Sequence, residues 1–145
     1  MNPVGTMERS YVGPAFHDAK VHDAMRVGVV TCQRETKLAD VARMMVGYDI
    51  HSVVVADVGG EGEPWGIVTS MDLARAADEL ESLTAGEVAS TELVTIRADA
   101  PLERAAKVMA EERVTHLIAC EPGTRRPAGV LSARGLAAAL AYGRS

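Results

Sequence analysis

The sequence predicts a mixed α/β (α+β) fold made of two copies of one β-α-β-β-α unit, and two observations support this prediction. The first is an internal repeat, in which matching residues lie 64 positions apart. The second is the alternation of short β-branched runs with apolar residues at helical spacing, which is typical of helices packed on a sheet. The clearest matching pairs are Thr31 and Thr95, Leu38 and Leu102, Met45 and Met109, and Val53 and Leu117.

The repeat also predicts how the chain is organised. Two copies are too few for a solenoid, so we expect two pseudo-twofold halves that pack sheet to sheet, with a cleft between them. The spacing falls to 63 later in the copies, where residues 66–69 match 129–132. The predicted boundaries are 1–19 for a loose N-terminal arm, 20–80 for the first repeat, 81–141 for the second repeat and 142–145 for a C-terminal tail.

In the first copy the elements follow from apolar spacing and from turn residues. Leu38, Val41, Ala42 and Met45 lie at i, i+3, i+4 and i+7, which is one face of an amphipathic helix. The β-branched run at 52–56 predicts a buried strand. The remaining elements are a short helical turn at 20–25, a strand at 27–31, a loop at 57–64, a strand at 65–69 and a helix at 71–80.

The second copy repeats this order. Asp99 stands shortly before Pro101, which predicts a helix start with Asp99 as the N-cap, and the helix face continues through Leu102, Ala105 and Met109. The other predicted elements are a short turn at 84–89, strands at 93–96, 115–120 and 128–131, a loop at 121–126 and a closing helix at 134–141.

Composition and charge exclude several classes of function. With 48% hydrophobic residues, 24% charged residues and a net charge of −5, the chain is typical of a soluble globular domain. Arg125 and Arg126 form the only basic pair, so we expect no nucleic-acid surface. No apolar run reaches the roughly 18–20 residues of a membrane span, and the first residues lack the apolar stretch of a signal peptide. We therefore expect a cytoplasmic protein.

The two cysteines and the missing motifs argue against metal binding and catalysis. Cys32 and Cys120 have neither CxxC spacing nor a neighbouring histidine cluster, so no metal site is predicted. The chain also lacks a phosphate-binding loop with lysine, an HExxH motif and a GxGxxG motif. We expect no enzymatic activity, and a redox or transferase role for Cys32 is kept only as a third interpretation.

Two motifs give the chain a family resemblance. Val21, Asp23 and Met25 form an opening of the pattern Val-x-Asp-x-Met, and residues 66–72 match a Gly-h-h-Thr-x-x-Asp pattern, where h is apolar. Together with the repeat and the order of elements, these residues resemble a tandem CBS-domain pair, also called a Bateman module. The resemblance covers about residues 20–141. It implies a regulatory, ligand-binding module without a catalytic cofactor.

The resemblance also implies a ligand and a site. The expected ligand contains adenosine: AMP, ADP, ATP or S-adenosylmethionine. Its ribose hydroxyls would bind Asp72, because an ionised carboxylate accepts two hydrogen bonds, and its phosphate would lie near Thr69 at a helix start. Thr95, Thr115 and His116 of the second copy would complete this site.

A second cleft is expected to bind nucleotide more weakly. Ser132 supplies a hydroxyl there, but Gly135 stands where the pattern requires the acid, and Arg134 is an alternative receptor for an anion. The opposite wall would consist of Thr31, His51 and Ser52.

Each of these site residues also has a structural interpretation, which the sequence leaves open. Asp72 is equally typical of a helix first turn, and Thr69 and Ser132 are typical N-cap residues. His51 and His116 are also typical of hydrogen-bonded residues at a strand entrance.

The predicted function is therefore a regulatory module that senses an adenosine-containing nucleotide between its two repeats. The alternative is a structural homodimerisation module without a physiological nucleotide ligand. A homodimer is expected in either case, because the equivalent last helices of both copies are rich in alanine and permit close helix contact. The alanines concerned are Ala74, Ala76, Ala77, Ala137, Ala138 and Ala139. The resemblance also allows for an unidentified protein effector.

Overall fold

The computed structural model describes residues 11–57 and 63–143, which form two compact units. One unit consists of residues 29–93 and is called the acidic unit below. The other combines 11–28 with 94–143 and is called the composite unit. Residues 1–10 of the predicted arm, 58–62 of the predicted loop and 144–145 of the predicted tail lie outside the described residues.

The helices and strands alternate along the chain as the repeat predicts. In chain order they are α1 Val21–Ala24, β1 Arg26–Val27, β2 Thr31–Cys32, α2 Leu38–Tyr48, β3 Ser52–Ala56, β4 Pro64–Thr69, α3 Ser70–Arg75, a 3-10 helix Ala77–Glu79, α4 Ala85–Val88, β5 Thr95–Arg97, α5 Leu102–Glu112, β6 His116–Cys120, β7 Pro127–Ser132 and α6 Ala133–Tyr142. The order β-α-β-β-α occurs twice, as β2-α2-β3-β4-α3 and as β5-α5-β6-β7-α6, which confirms the predicted fold class.

The acidic unit is built on a three-stranded sheet of order β2-β3-β4. Strand β2 runs parallel to β3, and β3 runs antiparallel to β4. Helix α2 buries the predicted face, in which Leu38, Val41 and Met45 are at most 6% exposed. Asp49 ends this helix in the left-handed conformation, with φ 54°, and its N–H donates to the carbonyl oxygens of Met45 and Val46.

The composite unit is built on a four-stranded sheet of order β1-β7-β6-β5. Strands β5 and β6 run parallel, whereas β7 is antiparallel to both β6 and β1. The predicted strand at 27–31 is wrong as one element, because β1 belongs to this sheet and β2 to the sheet of the acidic unit. Gly28, with φ 83°, separates the two short strands in a conformation that side-chain-bearing residues rarely adopt.

Two equivalent glycines allow an additional segment to approach each sheet. A Cβ atom on Gly66 would lie 3.0 Å from the carbonyl oxygen of Ser90, and a Cβ atom on Gly129 would overlap the carbonyl oxygen of Arg26. Ser90 forms an antiparallel bridge to Ile67, just as β1 pairs with β7. The first segment of each repeat thus contributes to the sheet of the other repeat, so the compact units differ from the repeats as they follow along the chain.

The described part of the predicted arm is packed, which corrects the expectation that it is loose. Tyr11 and Ala19 are 5% and 2% exposed and belong to the core of the composite unit. The N–H of Leu102 donates to the carbonyl oxygen of Ala19 at 2.9 Å. The equivalent bond in the acidic unit runs from the N–H of Leu38 to the carbonyl oxygen of Leu83, at 3.0 Å. Residues 11–20 therefore occupy the place that the linker at 75–84 takes in the other unit.

Two predicted helix boundaries also differ. Pro101 is the N-cap position of α5 and makes no side-chain cap. Asp99 instead accepts hydrogen bonds from Nε and Nη2 of Arg97, both at 2.9 Å, and these bonds hold the pKa of Asp99 below its usual value. The helix predicted at 71–80 ends at Arg75 and continues as the 3-10 helix, so its second half lacks regular α-helical bonding.

Replacing Tyr11 with alanine tests whether the arm is structural. Because Tyr11 is buried and its hydroxyl donates to the carbonyl oxygen of Pro14 at 2.6 Å, we expect Tyr11→Ala to lower the free energy of unfolding by about 3 kcal/mol. The measurement is urea unfolding followed by circular dichroism. The neighbouring Val12 is 80% exposed, so Val12→Ala should change the stability by less than about 0.5 kcal/mol. Equal effects of the two changes would show that the arm does not support the core.

Candidate functional site

The predicted site residues cluster at two equivalent corners, one in each unit. In the acidic unit β4 passes directly into α3 at Thr69, opposite Ser52 of β3. In the composite unit β7 passes into α6 at Ser132, opposite His116 of β6. We name these places the Thr69 corner and the Ser132 corner.

The same backbone hydrogen bond builds both corners. The N–H of Ser70 donates to the carbonyl oxygen of His51 at 3.0 Å, and the N–H of Ala133 donates to that of Thr115 at 2.8 Å. Each bond ties the first residue of a helix to the residue before the neighbouring strand. The two corners therefore share one backbone frame and differ in the side chains placed on it.

Asp72 is the central acid of the Thr69 corner. Its Oδ2 accepts two hydrogen bonds from Thr69, one from the backbone N–H at 2.8 Å and one from Oγ1 at 3.1 Å. Its Oδ1 is contacted by Nη1 of Arg75 at 3.4 Å, and the Arg75 side chain is 72% exposed. Since the Asp72 side chain remains 18% exposed, Oδ1 is the carboxylate oxygen with capacity for a further donor.

The contacts of Asp72 confirm its structural interpretation as a first-turn capping residue. Thr69 and Asp72 form a capping box at the start of α3. Thr84 and Glu87 form the same motif at α4, with both donors 3.0 Å from Oε1. Because the same motif occurs where no ligand is predicted, capping alone explains the position of Asp72. Ligand binding by Asp72 therefore stays a prediction.

The donors of Thr69 and Ser70 at the start of α3 are already used within the protein. Both the N–H and the hydroxyl of Thr69 donate to Asp72. The hydroxyl of Ser70 donates to the carbonyl oxygen of His51 at 3.2 Å, and the N–H of Ser70 donates to the same oxygen. This corner consequently offers acceptors to a ligand, mainly Asp72 Oδ1, and none of these four donors is free.

The Ser132 corner lacks an acid for a steric reason. Ser132 Oγ accepts the N–H of Gly135 at 3.0 Å, which confirms the N-cap interpretation of Ser132. A Cβ atom on Gly135 would lie 2.8 Å from the carbonyl oxygen of Ala24. Because α1 approaches α6 so closely, a carboxylate side chain has no room at this position.

The remaining predicted residues lie beside these two corners. In the composite unit Thr115 and Thr95 are exposed, and Oγ1 of Thr115 lies 3.0 Å from Nδ1 of His116. In the acidic unit Thr31 begins β2 and is exposed, next to Val54 of β3.

The structure thus divides the predicted site residues between the two units. It brings Thr69, Asp72 and Ser52 together in one unit, and Thr115, His116 and Ser132 together in the other. The combination of Asp72 with Thr95, Thr115 and His116 in one site stays a prediction, as does the second cleft.

Sequence reasoning missed Arg75 as a site residue. Arg75 lies three positions after Asp72 on α3, and this spacing brings its guanidinium to Asp72 Oδ1. The i, i+3 spacing of opposite charges is the signal that would have identified it.

The cysteines give no support to the redox interpretation. Burial raises the pKa of the Cys32 thiol, and the hydrogen bond with Thr36 lowers this pKa by a smaller amount. Burial also raises the pKa of the Cys120 thiol. A raised pKa leaves less of the nucleophilic thiolate at neutral pH. Within residues 11–57 and 63–143, no group of three His, Cys, Asp or Glu side chains is placed to hold a metal ion. None of the described helices has the length and apolar character to cross a membrane.

A comparison with models of known protein families shows to which family the chain belongs. The family model for the CBS domain matches twice, at residues 21–79 and 85–142. The chain belongs to the CBS-domain family. This membership confirms the resemblance of the sequence to a tandem CBS pair, and the two matches agree with the two copies of β-α-β-β-α.

Solved structures of CBS proteins share this fold. The CBS domain pair of protein MJ0100, solved in complex with 5′-methylthioadenosine and S-adenosyl-L-methionine, has a TM-score of 0.72 and 20% identity over 82% of this chain and 93% of that one. The hexameric CBS-CP12 protein from bloom-forming cyanobacteria has a TM-score of 0.73 and 19% identity, and covers 82% of this chain and 69% of its own. The CBS-domain protein ATU1752 from Agrobacterium tumefaciens has a TM-score of 0.70 and 23% identity, over 83% and 92% of the two chains.

Curated relatives include two proteins named homoserine O-acetyltransferase. Those of Methanosalsum zhilinae and Methanocorpusculum labreanum are each 29% identical over 107 residues, or 73% of this chain. The chain spans only 21% of the length of these relatives.

Adding a methyl group at Gly135 tests the steric reason for the missing acid. Because the new Cβ atom would meet the Ala24 carbonyl oxygen, we expect Gly135→Ala to destabilise the protein by about 1–3 kcal/mol in urea unfolding. Gly47 is the control, since it lies in α2 and a Cβ atom added there would have no neighbouring atom within 4 Å. Gly47→Ala should therefore stabilise the protein by up to about 1 kcal/mol. Stabilisation by both changes would refute the steric argument.

Thiol reactivity tests the state of the two cysteines. Because burial raises both thiol pKa values, we expect Cys32 and Cys120 of the native protein to react with Ellman's reagent at least about tenfold more slowly than in urea, at about pH 8. Single Cys→Ser variants assign the two rates. A native thiol that reacts faster than the unfolded one would return the redox interpretation to consideration.

Proposed function

We propose that this CBS pair is a regulatory module that binds an adenosine-containing ligand, with Asp72 as the acceptor for its ribose. The main support is Oδ1 of Asp72, the one carboxylate oxygen of this partly exposed side chain that the capping box does not use. A ribose hydroxyl is a suitable donor for this oxygen, since a hydrogen bond to an ionised acceptor is stronger than a neutral one. Family membership and the adenosine ligands of the MJ0100 CBS pair add support.

The ligand we propose is a phosphate-free adenosine compound such as S-adenosylmethionine or methylthioadenosine, in preference to AMP, ADP or ATP. A phosphate needs hydrogen-bond donors, and the four donors of Thr69 and Ser70 are all engaged within the protein. Helix α3 has only six residues, which weakens its N-terminus as an anion site. The acceptor that this corner offers, Oδ1 of Asp72, suits the hydroxyl or ammonium groups of a ligand instead.

The residues of the composite unit complete the proposal. We assign Thr95, Thr115 and His116 to the same site as Thr69 and Asp72. We expect the second set, Thr31, His51, Ser52 and Ser132, to bind more weakly, because Gly135 supplies no carboxylate. Binding would favour one arrangement of the module over another through differential affinity, and an unidentified effector protein would respond to it.

We propose no catalytic step for this chain. Its match to the acetyltransferases covers a fifth of their length, and their activity is not transferred to it. The module is proposed to act as a homodimer, in line with the assembly of the hexameric CBS-CP12 relative. A cytoplasmic location is in keeping with the two free, buried cysteines.

A thermal-shift experiment tests the ligand and its site together. At a ligand concentration about 100-fold above the dissociation constant, linkage predicts about 2.7 kcal/mol of stabilisation, which is several degrees in melting temperature. We expect this shift with S-adenosylmethionine or methylthioadenosine, and a smaller one with AMP at the same concentration. In Asp72→Ala the shift should disappear.

Glu87→Ala is the matched control, because it also removes a capping-box acid but lies outside the proposed site. Both variants should lose about 1 kcal/mol of stability in the absence of ligand, and Glu87→Ala should keep the full ligand shift. A larger shift with AMP than with methylthioadenosine would refute the phosphate-free class. No shift with any of the compounds would favour the structural homodimerisation module.

A further inference from the structure

The carboxylate of Asp72 has fewer acceptor positions open than a ribose can use. An ionised carboxylate has about four lone-pair positions, about two on each oxygen. On Oδ2 both are taken, by the backbone N–H of Thr69 at 2.8 Å and by the hydroxyl of Thr69 at 3.1 Å. On Oδ1 one is taken, by Nη1 of Arg75 at 3.4 Å. One position therefore stays open, and it lies on Oδ1.

The contacts of Asp72 differ in how easily a ligand can replace them. The two bonds from Thr69 belong to the capping box of α3, which gives an N–H at the helix start its partner. The contact from Arg75 is longer than most hydrogen bonds from nitrogen to oxygen, and the Arg75 side chain is 72% exposed. An ion pair that involves so exposed a side chain contributes little stability, because water solvates its charge well. Arg75 is therefore the contact that is given up at the smallest cost.

A ribose brings two donors to this carboxylate. Its 2′- and 3′-hydroxyl groups lie next to each other on the sugar, and each can donate one hydrogen bond. While Nη1 of Arg75 contacts Oδ1, the carboxylate of Asp72 has an open position for only one of them. The second hydroxyl needs the position that Arg75 holds. A deoxyribose lacks one of the two hydroxyl groups, so it fits the open position with Arg75 in place.

We propose that Arg75 determines the sugar specificity of this site by competing with the ligand for Oδ1 of Asp72. A ligand that donates both ribose hydroxyl groups displaces the guanidinium, whereas a deoxyribose ligand leaves it where it is. Arg75 thus lowers the affinity for a ribose ligand and reduces its advantage over a deoxyribose ligand. This inference rests on the proposed function and adds a specificity-determining residue to the same site.

Replacing Arg75 with methionine tests the competition. Methionine is a good helix former, and its side chain has neither the charge nor the donors of arginine. Titration calorimetry with adenosine should give a dissociation constant about two- to fivefold lower for Arg75→Met than for the wild type, the range expected from the loss of an exposed ion pair. With 2′-deoxyadenosine and 3′-deoxyadenosine the change should stay below about 1.5-fold, because these ligands do not displace Arg75.

Two further variants separate competition from charge and from folding. Arg43 forms the same kind of i, i+3 pair on α2, with Nη1 2.7 Å from Oδ1 of Asp40. Arg43→Met removes an equal charge from the same unit and should leave the affinities for all three nucleosides unchanged. Arg75→Lys keeps the charge and a donor, so it should bind adenosine as the wild type does. Thermal unfolding without ligand checks that every variant is folded.

The outcomes distinguish this inference from the proposed function. An equal gain for adenosine and for both deoxyadenosines, or the same gain in Arg43→Met, would show a general charge effect and overturn the competition alone. Weaker adenosine binding by Arg75→Met would also overturn it, since Arg75 would then act as a donor to the ligand. If the wild type does not bind adenosine, or if Asp72→Ala binds it equally well, the ribose site itself is refuted and the competition with it.

Discussion

The close approach of a chain segment to one strand in each sheet is the constraint on which the rest of the structure depends. At Gly66 and Gly129 the absence of a side chain lets the backbone at Ser90 and Arg26 lie against the strand. Any larger residue would push the segment away, and the short helices α1 and α4 with it. These two contacts make each sheet depend on residues at the beginning of the other repeat, so neither repeat completes its own sheet.

The capping boxes show how one local device serves both stability and the proposed binding. A carboxylate at the third helical position satisfies the backbone N–H of the N-cap residue, which would otherwise lack a partner at the helix start. Two donors from Thr69 occupy Asp72 Oδ2 and leave Oδ1 directed to weaker contacts. The capping bonds therefore fix the orientation of the carboxylate that we propose as the ribose acceptor. The same bonds engage both donors of Thr69, so Thr69 does not offer them to a phosphate.

The sequence predicted the order of elements well because the repeat and the helical spacing of Leu38, Val41 and Met45 report directly on burial. It failed at Asp99, whose carboxylate accepts hydrogen bonds from Arg97 and caps no helix. It also failed in the arm, where contacts between distant residues decide. The acceptor for the N–H of Leu102 is Ala19, a residue far earlier in the chain, and no local pattern encodes that bond. The same limit applies to the site: spacing identified Asp72, whereas the engagement of the Thr69 donors depends on how the side chains are oriented in three dimensions.

The asymmetry between the repeats follows from the same packing. Helix α1 lies so close to α6 that a Cβ atom at position 135 would meet the Ala24 carbonyl oxygen, whereas the equivalent position in the acidic unit carries Asp72. The second repeat has no acid at this position, so its corner lacks the group that we assign to ribose binding. The start of α6 is capped by the side chain of Ser132 instead. The two copies of one fold thus differ at equivalent corners, with a carboxylate in the first turn of α3 and none in the first turn of α6.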